Sequence, residues 1–331
     1  MTPVVTDPTV RQLMEASAAR LGSGAEARWI VEHALAAEGS PFDDRWPVSK
    51  LDEPVPPNAS LLIETLVARR QAGEPLQYVL GTWSFRTLEL AVDRRVLIPR
   101  PETEQLVEVA LTELQRIVAG RDGAGTPDRP PRAVDLGTGS GAIALSLAVE
   151  GGSRHAGLEV WATDSSPDAL DVARANLELV SASAADGDRA LWGRVRWGQG
   201  RWFTALPVDL VGSIDLVVSN PPYVSAAEFP DLDPLVRDWE PTGALVAGPG
   251  SDGSSGLADI ETIIAGAPRW LHGDGALVIE LAPHQADAAG AMARRHGFVD
   301  VRVEPDLAGR PRVLVASGLA GRPRVLVASG Q

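Results

Sequence analysis

Apolar residues recur at helical spacing along the first part of the chain and at strand spacing further on. Val10–Met14 opens one helical segment. Ala25–Ala37, with Trp29, Ile30, Ala34 and Leu35, makes a second, and Ser60–Arg70, with Leu61, Leu62, Leu66 and Val67, a third. Ser60 is placed to cap the third helix, and the proline-rich stretch Pro54–Pro57 separates it from the second. No cluster of catalytic residue types falls here, so residues 1–84 read as a small helical accessory bundle. Phe85–Arg100 alternates as strands do, with Leu88, Leu90 and Val92, then Val96 and Ile98, around a turn at Asp93-Arg94. This predicts a β-hairpin linker over 85–105.

From Ala133 onward short apolar runs alternate with amphipathic segments. The predicted strands are Ala133–Leu136, Leu158–Thr163, Arg194–Trp197, Ile214–Ser219, Ala276–Leu281, Val299–Val303 and Arg312–Ala316; the helices include Gly141–Val149, Pro167–Val180, Leu257–Leu271 and His284–His296. Nearly continuous apolar strands separated by helices imply an α/β fold with a doubly wound parallel sheet covered on both faces. The last two strands have no helix between them and are expected to pair antiparallel. This domain is assigned 106–318. The tail repeats itself: Leu307–Gly318 and Leu319–Gly330 are letter for letter the same. Only one copy can fill the last strand. Reaching it takes a loop of about 8 residues from Val303 for the first copy and about 20 for the second, a closure difference of roughly 0.8 kcal/mol. The first copy is therefore expected in the sheet, with 319–331 as a loosely held tail.

Composition narrows the classes. The 331 residues are 44% hydrophobic, enough for a sizeable core, and no apolar run is long enough to span a membrane. The N-terminus has no basic segment followed by an apolar one, so no signal peptide is expected. Cysteine is absent, which excludes disulfides and thiolate metal sites; no metal is expected, and a cytoplasmic location fits. Thirty basic against 44 acidic residues give a net charge of −14. That balance argues against stable nucleic-acid binding, which needs a basic face to displace counterions from phosphates.

Two constellations carry chemistry. The first, Asp135-Leu136-Gly137-Thr138-Gly139-Ser140-Gly141-Ala142, ends a strand and opens a helix. Glycines there admit a ligand close to the backbone, and the helix N-terminus offers free N–H groups. Asp164 ends the next strand, where it can accept from two ribose hydroxyls, so an adenosine-containing ligand is expected across the strand tips. Gly137, Gly139 and Ala142 also satisfy a dinucleotide pattern. Asp135 would suit the cationic methionine part of S-adenosylmethionine better than a pyrophosphate. The second constellation, Asn220-Pro221-Pro222-Tyr223, follows the strand Ile214–Ser219. The Asn220 side chain and the Pro221 carbonyl are two acceptors for the two N–H bonds of a planar NH2 group, and Tyr223 can stack on it. Bonds that strengthen as that nitrogen becomes tetrahedral and positive favour the transition state.

With the order of these elements, Asn-Pro-Pro-Tyr resembles methyltransferases of exocyclic amines and glutamine amides. Gly73-Glu74-Pro75-Leu76-Gln77-Tyr78-Val79-Leu80-Gly81 and Val96-Leu97-Ile98-Pro99-Arg100-Pro101-Glu102-Thr103-Glu104 narrow it. So do Glu240-Pro241 with Ala244-Leu245, and Glu280 with Gln285. The chain is similar, over about residues 10 to 316, to the HemK/PrmC family that methylates the glutamine of the Gly-Gly-Gln motif in peptide chain release factors. The resemblance implies a seven-stranded Rossmann-like methyltransferase sheet, a substrate-recognising helical domain over 1–84, and S-adenosylmethionine as donor with S-adenosylhomocysteine as product. It implies that Gly137, Thr138, Gly139, Ser140, Gly141 and Asp164 bind the cofactor, that Trp202 lies near the adenine, and that Pro101–Thr103 borders the cofactor pocket. Asn220, Pro221, Pro222 and Tyr223 would hold the glutamine amide, with Asn220 touching both substrates. Arg201 stands where the family commonly has an acidic or small polar residue. The expected partners are release factors, with no stable nucleic acid and no membrane, and the chain is expected to be a monomer. A ribosomal-protein glutamine methyltransferase and a nucleic-acid amino methyltransferase are the alternatives.

Overall fold

The computed structural model describes residues 7–37, 50–121, 129–155, 157–183, 189–248 and 256–320. The chain forms two compact units, Met1–Thr82 with Pro234–Trp239, and Trp83–Asp233 with Glu240–Gln331.

In the first unit three helices, α1 (Val10–Leu21), α2 (Gly24–Ala37) and α3 (Pro57–Gln71), precede a short α4 (Leu76–Leu80). Helix α1 opens with a reciprocal cap between Thr9 and Gln12 and stops at Gly22, which takes φ 68°. Ser60 does not cap α3. The helix begins at Pro57, whose fixed φ suits a first helical position, so Ser60 lies inside it. Its buried stripe is Ala59, Ile63, Leu66 and Val67, while Leu61 is 69% exposed. The stripe closes a core with Ile30, Val31, Ala34 and Leu35 of α2.

A two-stranded ribbon follows, β1 (Thr82–Phe85) and β2 (Leu88–Ala91). Its turn falls at Arg86-Thr87, with Arg86 at φ 52°, rather than at Asp93-Arg94. Arg86 is held there by Glu150, at 2.6 Å, and by the Glu104 carbonyl. Val96 and Ile98 are buried but belong to no strand. The helix α5 (Pro101–Arg121) begins inside the span assigned to the linker, and its stripe Leu106, Ala110, Leu114, Ile117 packs on the sheet.

The sheet has seven strands: β3 (Arg132–Leu136), β4 (Glu159–Asp164), β5 (Val195–Gln199), β6 (Ile214–Ser219), β7 (Leu271–Glu280), β8 (Phe298–Pro305) and β9 (Pro311–Leu319). Their order is β5-β4-β3-β6-β7-β9-β8. The first five run parallel, and β9 pairs antiparallel with both β7 and β8. Alternate residues face opposite cores. Ala133, Leu216 and Val218 join α5 on one side; Val134, Leu136 and Val217 join the helix Ala258–Trp270 on the other. Chain order reverses between β3 and β6, which opens a crevice at their C-terminal ends.

The first copy of the repeated segment supplies β9, and Ser317 lies opposite Ala276. The residue after it, Leu319, is 4% exposed opposite Phe298. The residue after the second copy is Gln331. Using the second copy would exchange a buried leucine for a glutamine, a penalty of about 2 kcal/mol added to the longer loop. Residues 321–331, and so nearly all of the expected loose tail, lie outside the described residues, as do 249–255 of the glycine-serine loop.

Candidate active site

At the end of β3 the chain passes through Gly137 and Gly141 with φ 77° and 84°, a region costly for any residue with a Cβ. A Cβ on Gly137 would stand 3.3 Å from the Trp202 ring, and one on Gly141 would press on Ala173 and Leu145. The glycines thus let the loop fold under Trp202 and against the helix Pro167–Ser183. The amides of Gly137 and Thr138 both donate to the Thr163 carbonyl, at 2.9 and 2.8 Å. Asp164 braces the loop as well, accepting from Gly139 N with Oδ2 and from Ser166 N with Oδ1, each at 2.9 Å. Each oxygen keeps lone pairs for a further donor.

Asp135 sits one layer behind. Its side chain is fully buried, Oδ2 accepts from Thr138 Oγ1 at 2.6 Å and from Ala144 N at 3.1 Å, and Oδ1 has no partner among the described residues. Burial pushes its carboxyl up to about 7, only partly offset by those two bonds. Asp135 is not among the residues that line the cavity; its two hydrogen bonds brace the glycine loop and the start of the helix behind it. Gly141, which caps the helix Ala142–Ser146, is also set back from the cavity.

Trp202 holds φ 50°, an uncommon conformation for a bulky residue, and it is fixed there from two sides. Its ring covers Gly137, and its Nε1 donates to Asp259 Oδ1 at 3.2 Å. Asp259, in the first turn of the helix Ala258–Trp270, is 3% exposed and also accepts from Arg201 Nη2 at 2.6 Å and from Gly248 N at 2.9 Å. Arg201 is therefore neutralised by a buried acid where it meets the cavity. Nothing in the local sequence marks Asp259; its importance comes from three donors supplied by distant segments.

At the tip of β6, Asn220 Nδ2 donates to Thr103 Oγ1 at 3.1 Å, and Thr103 donates to Glu280 Oε2 at 2.7 Å. The Tyr223 hydroxyl donates to the other Glu280 oxygen at 3.4 Å, and Gln285 Nε2 donates to the Tyr223 carbonyl at 3.0 Å. Glu280 is 1% exposed, and burial pushes its carboxyl up to about 7. Burial likewise raises the Tyr223 hydroxyl, with Glu280 adding to it, so the phenol stays protonated. The segment 95–100 is tied down by Glu240, which accepts from Ile98 N at 3.2 Å and pairs with Arg100.

These pieces enclose a cavity of about 670 Å³. Gly137, Thr138, Gly139, Ser140 and Asp164 line one side, Arg201 and Trp202 another, and Asn220 and Pro222 the β6 end. Leu97, Pro99, Arg100 and Thr103 form the facing wall. Of the predicted turn, Pro221 and Tyr223 do not line it: Pro221 is buried, and the Tyr223 ring packs against the apolar face of the sheet. Of Pro101–Thr103, only Thr103 reaches it. Among the described residues no group of three or more His, Asp or Glu is placed to hold a metal.

Comparison with known proteins identifies the family. A family model described as the PrmC N-terminal domain matches residues 10–81. A release factor glutamine methyltransferase from Bordetella pertussis is 40% identical over 288 residues, 87% of this chain and 92% of its own. The chain belongs to the release factor glutamine methyltransferase family. Another member of that family, from Mycolicibacterium smegmatis, is 36% identical over 93% of this chain and 97% of its own. Among solved structures, the N-terminal domain of human METTL16 in complex with SAH is similar over 75% of this chain and 82% of its own, at 16% identity and a TM-score of 0.46. Family membership rests on the first two relatives, and it makes this chain a methyltransferase whose sheet carries the cavity at its parallel strand ends.

Proposed function

We propose that the chain transfers a methyl group from S-adenosylmethionine to the side-chain amide nitrogen of the glutamine in the Gly-Gly-Gln motif of peptide chain release factors, leaving S-adenosylhomocysteine. The observation that carries this reading is Asn220 at the tip of β6, on the wall of the cavity bounded by the glycine loop and Asp164. Its Nδ2 is committed to Thr103, so Oδ1 is the end of the amide left for a donor.

The cavity suits the proposed donor. Its volume, about 670 Å³, falls in the range of small-molecule sites, roughly 300–1,000 Å³. The glycine loop is a cradle in which a side chain at Gly137 would collide with Trp202. Gly137, Thr138, Gly139 and Ser140 would lie along the cofactor, Asp164 would take its ribose hydroxyls, and Trp202 would cover its base. When bound, that cofactor supplies an electrophilic methyl group on a sulfonium.

The acceptor side is assigned to Asn220 Oδ1, with the backbone carbonyl of Pro221, a residue set back from the cavity lining, proposed as the second acceptor. Each accepts one N–H of the glutamine amide, which turns the face of the nitrogen toward the methyl group. The cofactor would supply the methyl group and keep the electron pair of the broken methyl–sulfur bond, while Asn220 and Pro221 would hold the nitrogen until one amide proton leaves it. No strong base is required. The residues gain their leverage because an amide nitrogen is a poor nucleophile whose developing positive charge strengthens both bonds. The reading takes the reaction to be cytoplasmic, with the chain acting as a monomer on a protein substrate. No helix among the described residues is long and apolar enough to cross a membrane.

Asn220→Ala removes one of the two acceptors. Methyl transfer to a purified release factor should fall by at least 100-fold, the order expected for loss of a transition-state hydrogen bond, while calorimetry should show S-adenosylmethionine affinity within a few-fold of wild type. Wild-type transfer by Asn220→Ala would overturn the assignment.

A further inference from the structure

We propose that Glu280 is a positioning residue for methyl transfer: acting through the Thr103 hydroxyl, it fixes which end of the Asn220 side-chain amide is presented to the substrate. The proposal rests on the reading of Asn220 as the group that holds the acceptor amide.

The two ends of an asparagine amide are nearly the same size, so its orientation is set by its neighbours. Here the neighbour is ambiguous by itself. A hydroxyl has one hydrogen and two lone pairs, so Thr103 could meet either end of Asn220. Glu280 removes the ambiguity. As a carboxylate it only accepts, and Oε2 lies 2.7 Å from Thr103 Oγ1. The hydroxyl hydrogen is committed to it. What remains for Asn220 is a lone pair, met by Nδ2 at 3.1 Å. The oxygen end is then the one available to a glutamine N–H. The other Glu280 oxygen takes the Tyr223 hydroxyl, so one buried acid grips both ends of the Asn220–Tyr223 turn.

A protonated Glu280 reverses the logic. The carboxyl gains a hydrogen to donate, Thr103 can accept it, and the freed hydroxyl hydrogen can be given to Asn220 Oδ1. The amide then turns its NH2 outward, where it opposes the substrate's own N–H groups. The groups facing Glu280 are Thr103 and Glu102 from α5, Tyr223 from the β6 turn and Arg312 from β9; burial raises its carboxyl, Thr103, Arg312 and Tyr223 lower it, and Glu102 raises it further. The outcome, about 7, puts the change of polarity within reach of ordinary assay conditions.

The test uses the full chain, S-adenosylmethionine at saturation and a purified release factor. Saturation keeps Asp135, behind the glycine loop, from entering through cofactor binding. Wild-type kcat should rise with pH through an inflection near neutrality, since only ionised Glu280 commits the Thr103 hydrogen, and Glu280→Gln should lack that inflection. Thr103→Val should lower kcat about tenfold or more, the size of one misaligned hydrogen bond in the transition state, with KM for S-adenosylmethionine unchanged, and Thr103→Ser should restore it. Persistence of the acidic limb in Glu280→Gln, or a wild-type kcat in Thr103→Val, would overturn the proposal. The pH profiles of wild type and Glu280→Gln decide it even if Thr103→Val is too unstable to assay. Loss of transfer in Asn220→Ala alongside unchanged Thr103→Val would sink the relay and leave the acceptor reading standing; unimpaired Asn220→Ala would remove both.

Discussion

At the scale of single residues, the site depends on a few side chains and two glycines held in conformations that their neighbours enforce. Gly137 is the clearest case, with a positive φ and a tryptophan ring where a Cβ would point. Gly137→Ala should therefore weaken S-adenosylmethionine binding by about 1–2 kcal/mol, the strain of a left-handed alanine, read by calorimetry, and the loss should shrink if Trp202 is also replaced by a smaller residue. The glycine loop, Asp164 and the Asn220 turn were legible because each is a local pattern at a strand end. Asp259 and the Thr103–Glu280 pair were not. Thr103 and Glu280 are 177 positions apart, and only the sheet brings them together. Asp135 is a related case, because its local pattern does not fix its surroundings. An acid just before a glycine loop can be open to solvent or enclosed, and the packing that buries Asp135 completely is not encoded in the motif.

At the scale of elements, periodicity located six of the seven strands of the large sheet to within three residues, found only the second half of β7, and failed where local signals competed. The hairpin was misplaced because Val96 and Ile98 alternate as a strand would; their burial comes instead from a coil segment fixed by Glu240 along the cavity wall. Helix α5 was hidden behind that error. Its first turn carries Pro101, Glu102 and Glu104, a good helix start. The repeated tail shows a choice between identical strands made by the residue that follows. Leu319→Gln should cost about 2 kcal/mol in denaturant unfolding through lost burial. It should also bring the two copies closer to parity, detectable as new exchange in the amides of β7 and β8. An unchanged unfolding free energy would mean that Leu319 does not secure the first copy.

At the scale of the whole molecule, the family relationship spans both the helical unit and the sheet-bearing unit, since the relatives align over most of their length. The net charge of −14 sets the broader expectation. An acidic balance of this size works against the counterion release that drives broad nucleic-acid binding. The central claim is that a cofactor methyl group and a flat amide are brought together beside Asn220. The most direct measurement is the mass of the peptide carrying the Gly-Gly-Gln motif, taken from a purified release factor after incubation with this protein and S-adenosylmethionine. One methyl group on the motif glutamine is the predicted result; an unmodified glutamine, or a methyl group found elsewhere, would contradict it.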